Sequence, residues 1–146
     1  MQEPKLHVLD REECLRLLTS SRFGRLAVRM HDGMPAIRPV NYVFDHHSQS
    51  VVFRTARGSN LHGWLMDGPA AFEVDGVDVS AHSGWSVIVS GVSEEVHSPA
   101  EIDRLEALGV LPWAPEQKPL FVRLRAFTVS GRRLHGGPVP AGSERR

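Results

Sequence analysis

The sequence predicts a mainly β domain, an antiparallel barrel carrying three short helices. Three observations point there. From Gly24 onward the apolar residues recur at every second position in short runs rather than at helical spacing. The runs are separated by brief polar turns, so successive strands follow one another without the long crossover helices that a parallel sheet needs. A chain of 146 residues with 41% hydrophobic content also suits a single domain whose core needs no disulfide or structural metal.

Taken in order, the first element is a helix. Asp10 followed three residues later by Glu13 is a start signal in which side chains satisfy the first free amides. The helix runs to about Ser20, with Cys14, Leu17 and Leu18 on one face, which makes Cys14 a core residue. Strands are expected from Arg25 to Met30, Met34 to Phe44 and Ser50 to Ala56, joined by hairpin turns at His31-Asp32-Gly33 and Asp45-His46-His47-Ser48. A meander is the simplest topology for them. A second helix from Ser59 to Met66 is capped by Ser59 and presents Leu61, Leu65 and Met66 on one face. Strands resume from Ala70 to Val79 and from Trp85 to His97, with Gly91 as a bulge or bend in the second. Pro99 opens a third helix to Leu108, ended by Gly109. A proline-rich loop over 110–119 leads to strands from Leu120 to Arg125 and Phe127 to Leu134. The domain thus spans 1–134, and the Gly, Pro, Ser and Arg content of 135–146 predicts a disordered tail.

Composition narrows the function. Seventeen basic and seventeen acidic residues cancel, so the chain lacks the positive field that nonspecific nucleic-acid binding requires. One cysteine excludes an internal disulfide and a thiolate cage, and the absence of an apolar leader or spanning run predicts a cytoplasmic protein with no membrane role. Eight histidines share no ligand spacing, and no metal site is expected. No Gly-x-Ser-x-Gly elbow, Walker motif or dinucleotide glycine turn is present.

Two stretches carry chemistry. In Arg54-Thr55-Ala56-Arg57-Gly58-Ser59-Asn60 a strand ends in basic and hydroxyl residues, then a glycine lets the backbone turn into a capped helix. These are the parts of an anion cradle, and they also suit an ordinary strand-to-helix turn with solvated arginines. In Arg38-Pro39-Val40-Asn41-Tyr42 a proline interrupts a strand, which predicts an edge, or a place where something other than a strand lies alongside; a flat ring would fill it.

Leu9-Asp10-Arg11-Glu12-Glu13-Cys14, Gly24-Arg25-Leu26-Ala27, Pro39-Val40-Asn41-Tyr42, Val52-Phe53-Arg54-Thr55, Gly58-Ser59-Asn60-Leu61, Ala71-Phe72-Glu73-Val74-Asp75, Gly84-Trp85-Ser86-Val87 and Pro112-Trp113-Ala114-Pro115 occur in an order that resembles the pyridoxamine 5′-phosphate oxidase-like flavin-binding proteins. The likeness covers about residues 6 to 134 and is strongest to the short actinobacterial type. It implies a split β-barrel homodimer with FMN in a groove between the subunits and a small-molecule substrate. On matching positions, Arg38, Pro39, Val40, Asn41 and Tyr42 would line the isoalloxazine ring, and Arg54 and Thr55 would approach the ribityl-phosphate. Ser59 and Asn60 would sit at the phosphate, Trp85 and Ser86 near the ring, and Trp113 would come from the partner. The resemblance implies an FMN-dependent oxidoreductase in which the cofactor does the chemistry and Arg38 supports negative charge on the ring. Related sequences carry Lys or Arg where this chain has Asn60, which keeps two alternatives open: a deazaflavin-dependent reductase, or a non-catalytic flavin or haem binding protein. The C-terminal segment that acts on the substrate in pyridoxamine phosphate oxidases has no counterpart, so vitamin B6 oxidation is not expected.

Overall fold

Nine strands and three helices make up the residues that the computed structural model describes, which are 3, 5–66, 68–111 and 120–136. β1 (Lys5–Val8) and α1 (Arg11–Ser20) precede two hairpins, β2 (Phe23–Arg29) with β3 (Pro35–Asn41) and β4 (Val43–Asp45) with β5 (Ser50–Thr55). α2 (Asn60–Leu65) leads to the long hairpin of β6 (Pro69–Asp78) and β7 (Ser83–Glu95), then α3 (Pro99–Glu106), β8 (Leu120–Arg125) and β9 (Thr128–His135). The helices start where the capping residues require. The Glu13 N–H donates to Asp10 Oδ1 at 2.8 Å, the His62 N–H to Ser59 Oγ at 3.1 Å, and the Glu101 N–H to Ser98 Oγ at 3.4 Å.

All strands pair antiparallel, as expected, but not as a meander. The order is β3-β2-β6-β7-β8-β5-β4, with β9 also on β7 and β1 on β9. Hairpin logic alone cannot give this, because β2 takes β6 as its second neighbour and β5 takes β8, each across a long sequence interval. The expected single strand from Met34 to Phe44 is broken at Tyr42, and there the chain passes from one edge of the curled sheet to the other. β3 and β4 are the two ends of the strand order, yet they are consecutive in the chain, so the backbone itself joins them. Tyr42 pins the seam: its N–H donates to Arg22 O at 2.9 Å and its hydroxyl to Leu18 O at 2.6 Å, while its ring packs edge-on against Phe72 at 4.6 Å.

The bend expected at Gly91 is where β7 changes neighbours. Ser90 pairs with Thr128 of β9 and Ser93 with Leu124 of β8, so two residues of β7 face three of the opposing segment, 125–127. The extra residue lies in that opposing segment, as a β-bulge that splits one long edge into two strands. β9 runs on through His135, which pairs with Lys5 of β1, a strand too short and too mixed in pattern to stand out in the sequence.

The main core fills the barrel with Leu18, Leu26, Val51, Phe53, Phe72, Val74, Val87, Val89 and Leu124, all within 1% of complete burial. Each such side chain contributes about 1.5–3 kcal/mol. α1 covers one opening through Cys14, Leu17 and Leu18. A second cluster of Val43, Val52, Leu105 and Phe121 seats α3 on the other side of β5. In α2 Leu65 is buried and Leu61 packs on the core, but Met66, expected on the same face, lies past the helix and is exposed.

Candidate functional site

β5 ends at Thr55, and the chain turns through Ala56, Arg57 and Gly58 into α2. Gly58 has φ +79°, a left-handed conformation that a side chain disfavours. Past it, the Ser59 N–H donates to Ala56 O at 3.2 Å and the Gly63 N–H to Ser59 O at 3.2 Å. Thr55 Oγ1 lies 3.2 Å from Ser59 Oγ, and the Thr55 side chain is buried. Two hydroxyls carry two protons, and one bond between them uses one. The other is left for an external acceptor. Hydroxyl donors on a tight turn fit a phosphate. Asn60, the first residue of α2, is exposed and brings no charge.

Strand alternation divides the other expected site residues. On β3, Val40 is buried with Ala36 in the core, whereas Ile37 and Pro39 stay on the outer face. Tyr42 is committed to the core seam, so its ring and the Val40 side chain face away from any ligand and only main chain is left to meet one. Arg38 points to α2. Its guanidinium lies 5.1 Å from the Trp64 ring and donates to Ile37 O at 3.0 Å. β3 is an edge strand, bonded to β2 alone among the described residues, as Pro39 requires. The strand edge is therefore linked to the far end of α2 through Arg38 and Trp64.

Arg54 and Thr55 do not converge. Thr55 shares its face of β5 with Phe53, while Arg54 points toward α3 with its guanidinium 4.2 Å from the Phe121 ring. Trp85 and Ser86, also neighbours, face opposite ways. Trp85 packs on the core against Gly76, where a Cβ would stand 2.6 Å from the indole nitrogen, and Ser86 lies outward across from Asp75. Both line a surface cavity of about 550 Å³ with Leu6, Val77, Val79 and Leu134. This end of β7 is ten residues from Glu95, a strand path of about 33 Å, and Glu95 is the β7 residue beside the Gly58 turn. Within one protomer, Trp85 and Ser86 are remote from Ser59. Trp113 falls outside the described residues.

The electrostatics show residues that the sequence reading passed over. Burial and the Asp75 carboxylate push Glu73 up to about 7, against the opposing pull of Arg25 at 3.2 Å. This trio sits on the outer sheet face beside a cavity of about 300 Å³ lined by Ala27, Ile37 and Ile88. Burial alone would raise Glu95, but the bond from His62 and the charge of His97 and Arg57 outweigh it and hold the carboxyl below its ordinary range. Arg57 is thereby drawn to Glu95, at 3.4 Å, rather than standing in for a cation at Asn60. His62 and His97 share no spacing in the sequence and meet only because β7 ends beside α2. Trp64 had no signal beyond being an aromatic residue in a short helix.

Known proteins place this architecture. The family model for pyridoxamine 5′-phosphate oxidase matches residues 10–133. An FAD binding protein from Mycobacterium smegmatis is similar in structure, with 34% identity, TM-score 0.79, and 90% of this chain covering 100% of that one. A conserved protein of unknown function from Corynebacterium diphtheriae has 36% identity and TM-score 0.73, with 87% and 96% of the two chains covered. An uncharacterized protein of Mycobacterium tuberculosis is 35% identical over 129 residues, 86% of this chain and 84% of its own length. No described helix is long and apolar enough to cross a membrane. With the half-barrel sheet, its seam at Tyr42 and a match that spans nearly every strand, the chain belongs to the pyridoxamine 5′-phosphate oxidase family of split-barrel proteins.

Proposed function

We propose that the chain binds FMN in a groove between two copies of itself and acts as an oxidoreductase on a small molecule. The observation that carries this reading is the juxtaposition of an edge strand with a hydroxyl-lined turn: β3 presents an unpaired side, and Arg38 on Trp64 ties it to the helix that follows Thr55 and Ser59. A flat ring along β3 and a phosphate at the hydroxyl pair use both. The Thr55–Ser59 hydroxyl pair donates its remaining proton to a phosphate oxygen, the main chain of residues 39–42 borders the ring, and Arg38 places a fixed positive charge at the strand edge, favouring negative charge there. When bound, the flavin supplies hydride or electron transfer.

A second copy supports the reading in two ways. The outer sheet face carries exposed Ile37, Val77 and Ile88, which a partner would cover. Trp85 and Ser86 lie too far along β7 to serve the turn of their own chain, whereas a partner's β7 can bring its counterparts to it. FAD is the second reading, favoured by the similar Mycobacterium smegmatis protein, whose name records FAD binding. Titration with FMN, FAD and riboflavin, followed by flavin fluorescence, tests the proposal together with light scattering. FMN binding at least tenfold tighter than riboflavin, on a particle of twice the 16.2 kDa chain mass, is the expected result. Tighter binding of FAD selects the second reading. No saturable flavin binding, or a monomer that binds flavin fully, refutes the inter-subunit site; uptake of deazaflavin or haem instead moves the function to those ligands.

A further inference from the structure

The flavin reading leaves one group of side chains beside the hydroxyl pair without a role: Arg57, His62, Glu95 and His97. The Glu95 carboxylate meets His62 Nε2 at 2.8 Å, His97 Nδ1 at 3.2 Å and Arg57 at 3.4 Å. The inner pair is enclosed, with His62 and Glu95 side chains 13% and 10% exposed, whereas Arg57 and His97 are 67% and 78% exposed. The bond between His62 and Glu95 is therefore the shielded one, and the outer two partners are screened by water. Leu65, Met66, Glu94 and Val122 complete the wall of the cavity of about 340 Å³ beside it.

The second nitrogen of His62 faces the turn. The Gly58 N–H donates to His62 Nδ1 at 3.2 Å. An amide N–H can only donate, so Nδ1 carries no proton and the ring proton is on Nε2, directed at Glu95 Oε1. In this tautomer both ring nitrogens are engaged. The same residue donates its own backbone N–H to Ser59 Oγ, and Ser59 Oγ is the partner of Thr55 Oγ1. One residue thus grips both Gly58 and Ser59, and it is anchored to the end of β7 by Glu95.

We infer that His62, as the neutral Nε2-protonated tautomer, is a positioning residue that clamps the Gly58 turn to Glu95 and so aims the Thr55–Ser59 hydroxyl pair at the cofactor's phosphate. This rests on the flavin reading above. A hydroxyl pair discriminates for phosphate only while its geometry is held to within about half an ångström, which a left-handed glycine turn does not secure alone. Glutamine at position 62 reaches Glu95 but has no acceptor at the Nδ1 position. Asparagine has an oxygen there but does not reach Glu95. The two variants separate the two ends of the clamp.

The test is titration of wild type, His62→Gln, His62→Asn and Glu95→Gln with FMN and with riboflavin, which lacks the phosphate. In both His62→Gln and His62→Asn, each of which breaks one end of the clamp, FMN binding is expected to weaken about tenfold while riboflavin binding stays within about twofold. Glu95→Gln, which keeps an oxygen to accept from Nε2–H, should lose less than either. Equal losses for both ligands, or no loss, overturn the inference. The wild type checks the flavin reading by itself, since equal affinity for FMN and riboflavin there refutes a phosphate site. The clamp is then decided by nitrogen-15 spectroscopy of the unliganded wild-type protein, which also serves if a variant fails to fold. A bare Nδ1 and a protonated Nε2 at neutral pH support it; the opposite tautomer or an imidazolium overturns it.

Discussion

Replacing Arg104 by methionine should destabilise the protein by about 2–3 kcal/mol, and the size follows from what surrounds Asp45. Its side chain, only 3% exposed, ends β4 under α3, and Arg104 bonds both its oxygens, at 2.7 and 2.8 Å. Removing one partner of a buried ion pair costs about 3–5 kcal/mol, because the remaining charge loses its compensation. Here the His47 and Ser48 N–H groups, each at 3.2 Å, and the Ser48 hydroxyl still bond the carboxylate, which lowers the cost to the bottom of that range or just below it. Urea unfolding would measure it, and the melting temperature should fall by about 4–12 °C. Adding Asp45→Asn to Arg104→Met should recover more than half of the loss, since the stranded charge is then gone. Acid unfolding gives a second reading. Burial would raise the Asp45 pKa, but Arg104 and Ser48 more than reverse this and hold it far below the ordinary carboxylate value. A depressed folded pKa contributes stability that is complete above the unfolded value of about 3.9 and is lost as the pH falls below it. The Arg104→Met variant should therefore lose less further stability than wild type between about pH 4 and pH 2. A cost below about 1 kcal/mol, or an unchanged acid slope, would show that α3 is held by Leu105 and its apolar neighbours alone.

Three further outcomes are expected. Asn60→Lys should tighten FMN binding by about 0.5–1 kcal/mol, an advantage that shrinks as salt rises in calorimetric titrations; unchanged affinity at low ionic strength would place the phosphate elsewhere. Glu73, raised to about 7, keeps its proton in the fold after the unfolded chain has lost it, so stability should decline as pH rises from about 4.5 to 7. Asp75→Asn should flatten that decline and lower the Glu73 midpoint in carboxyl carbon-13 titrations. Arg54→Ala should reduce thermal stability through the lost stack on Phe121 and change FMN affinity less than threefold, whereas a tenfold loss would mean that the guanidinium leaves Phe121 to reach the phosphate.

Local signals were legible where one residue type has one physical use. Asp10 and Ser59 cap the helices they precede, Pro39 sits on an edge strand, and Gly91 lies where β7 exchanges one neighbour for another. Strand order was not legible, because nothing in the pattern of Ser50–Thr55 says that its partner is Leu120–Arg125 rather than the next strand along. The candidate site residues could be named from the sequence, but the directions of their side chains could not. Adjacent residues such as Arg54 and Thr55, or Trp85 and Ser86, travel together in a motif yet point to opposite faces of a strand. Glu95, His62 and His97 form a cluster only after the barrel has closed, so no spacing in the sequence could reveal it.

The pairing of β5 with β8 also sets an order of events during synthesis. Ser50 bonds across to Arg125, so 125 − 50 = 75 further residues must leave the ribosome before the strand finds its neighbour. At typical elongation rates that is about 4–15 seconds. During that interval Ser50–Thr55, almost wholly buried in the finished barrel, has only the three-residue β4 to lie against. An apolar strand with an open edge is the kind of segment that aggregates or recruits a holding chaperone. The nascent chain is thus vulnerable at one of its most buried strands, and the emergence of β8 rather than early collapse is the moment at which that strand can be covered.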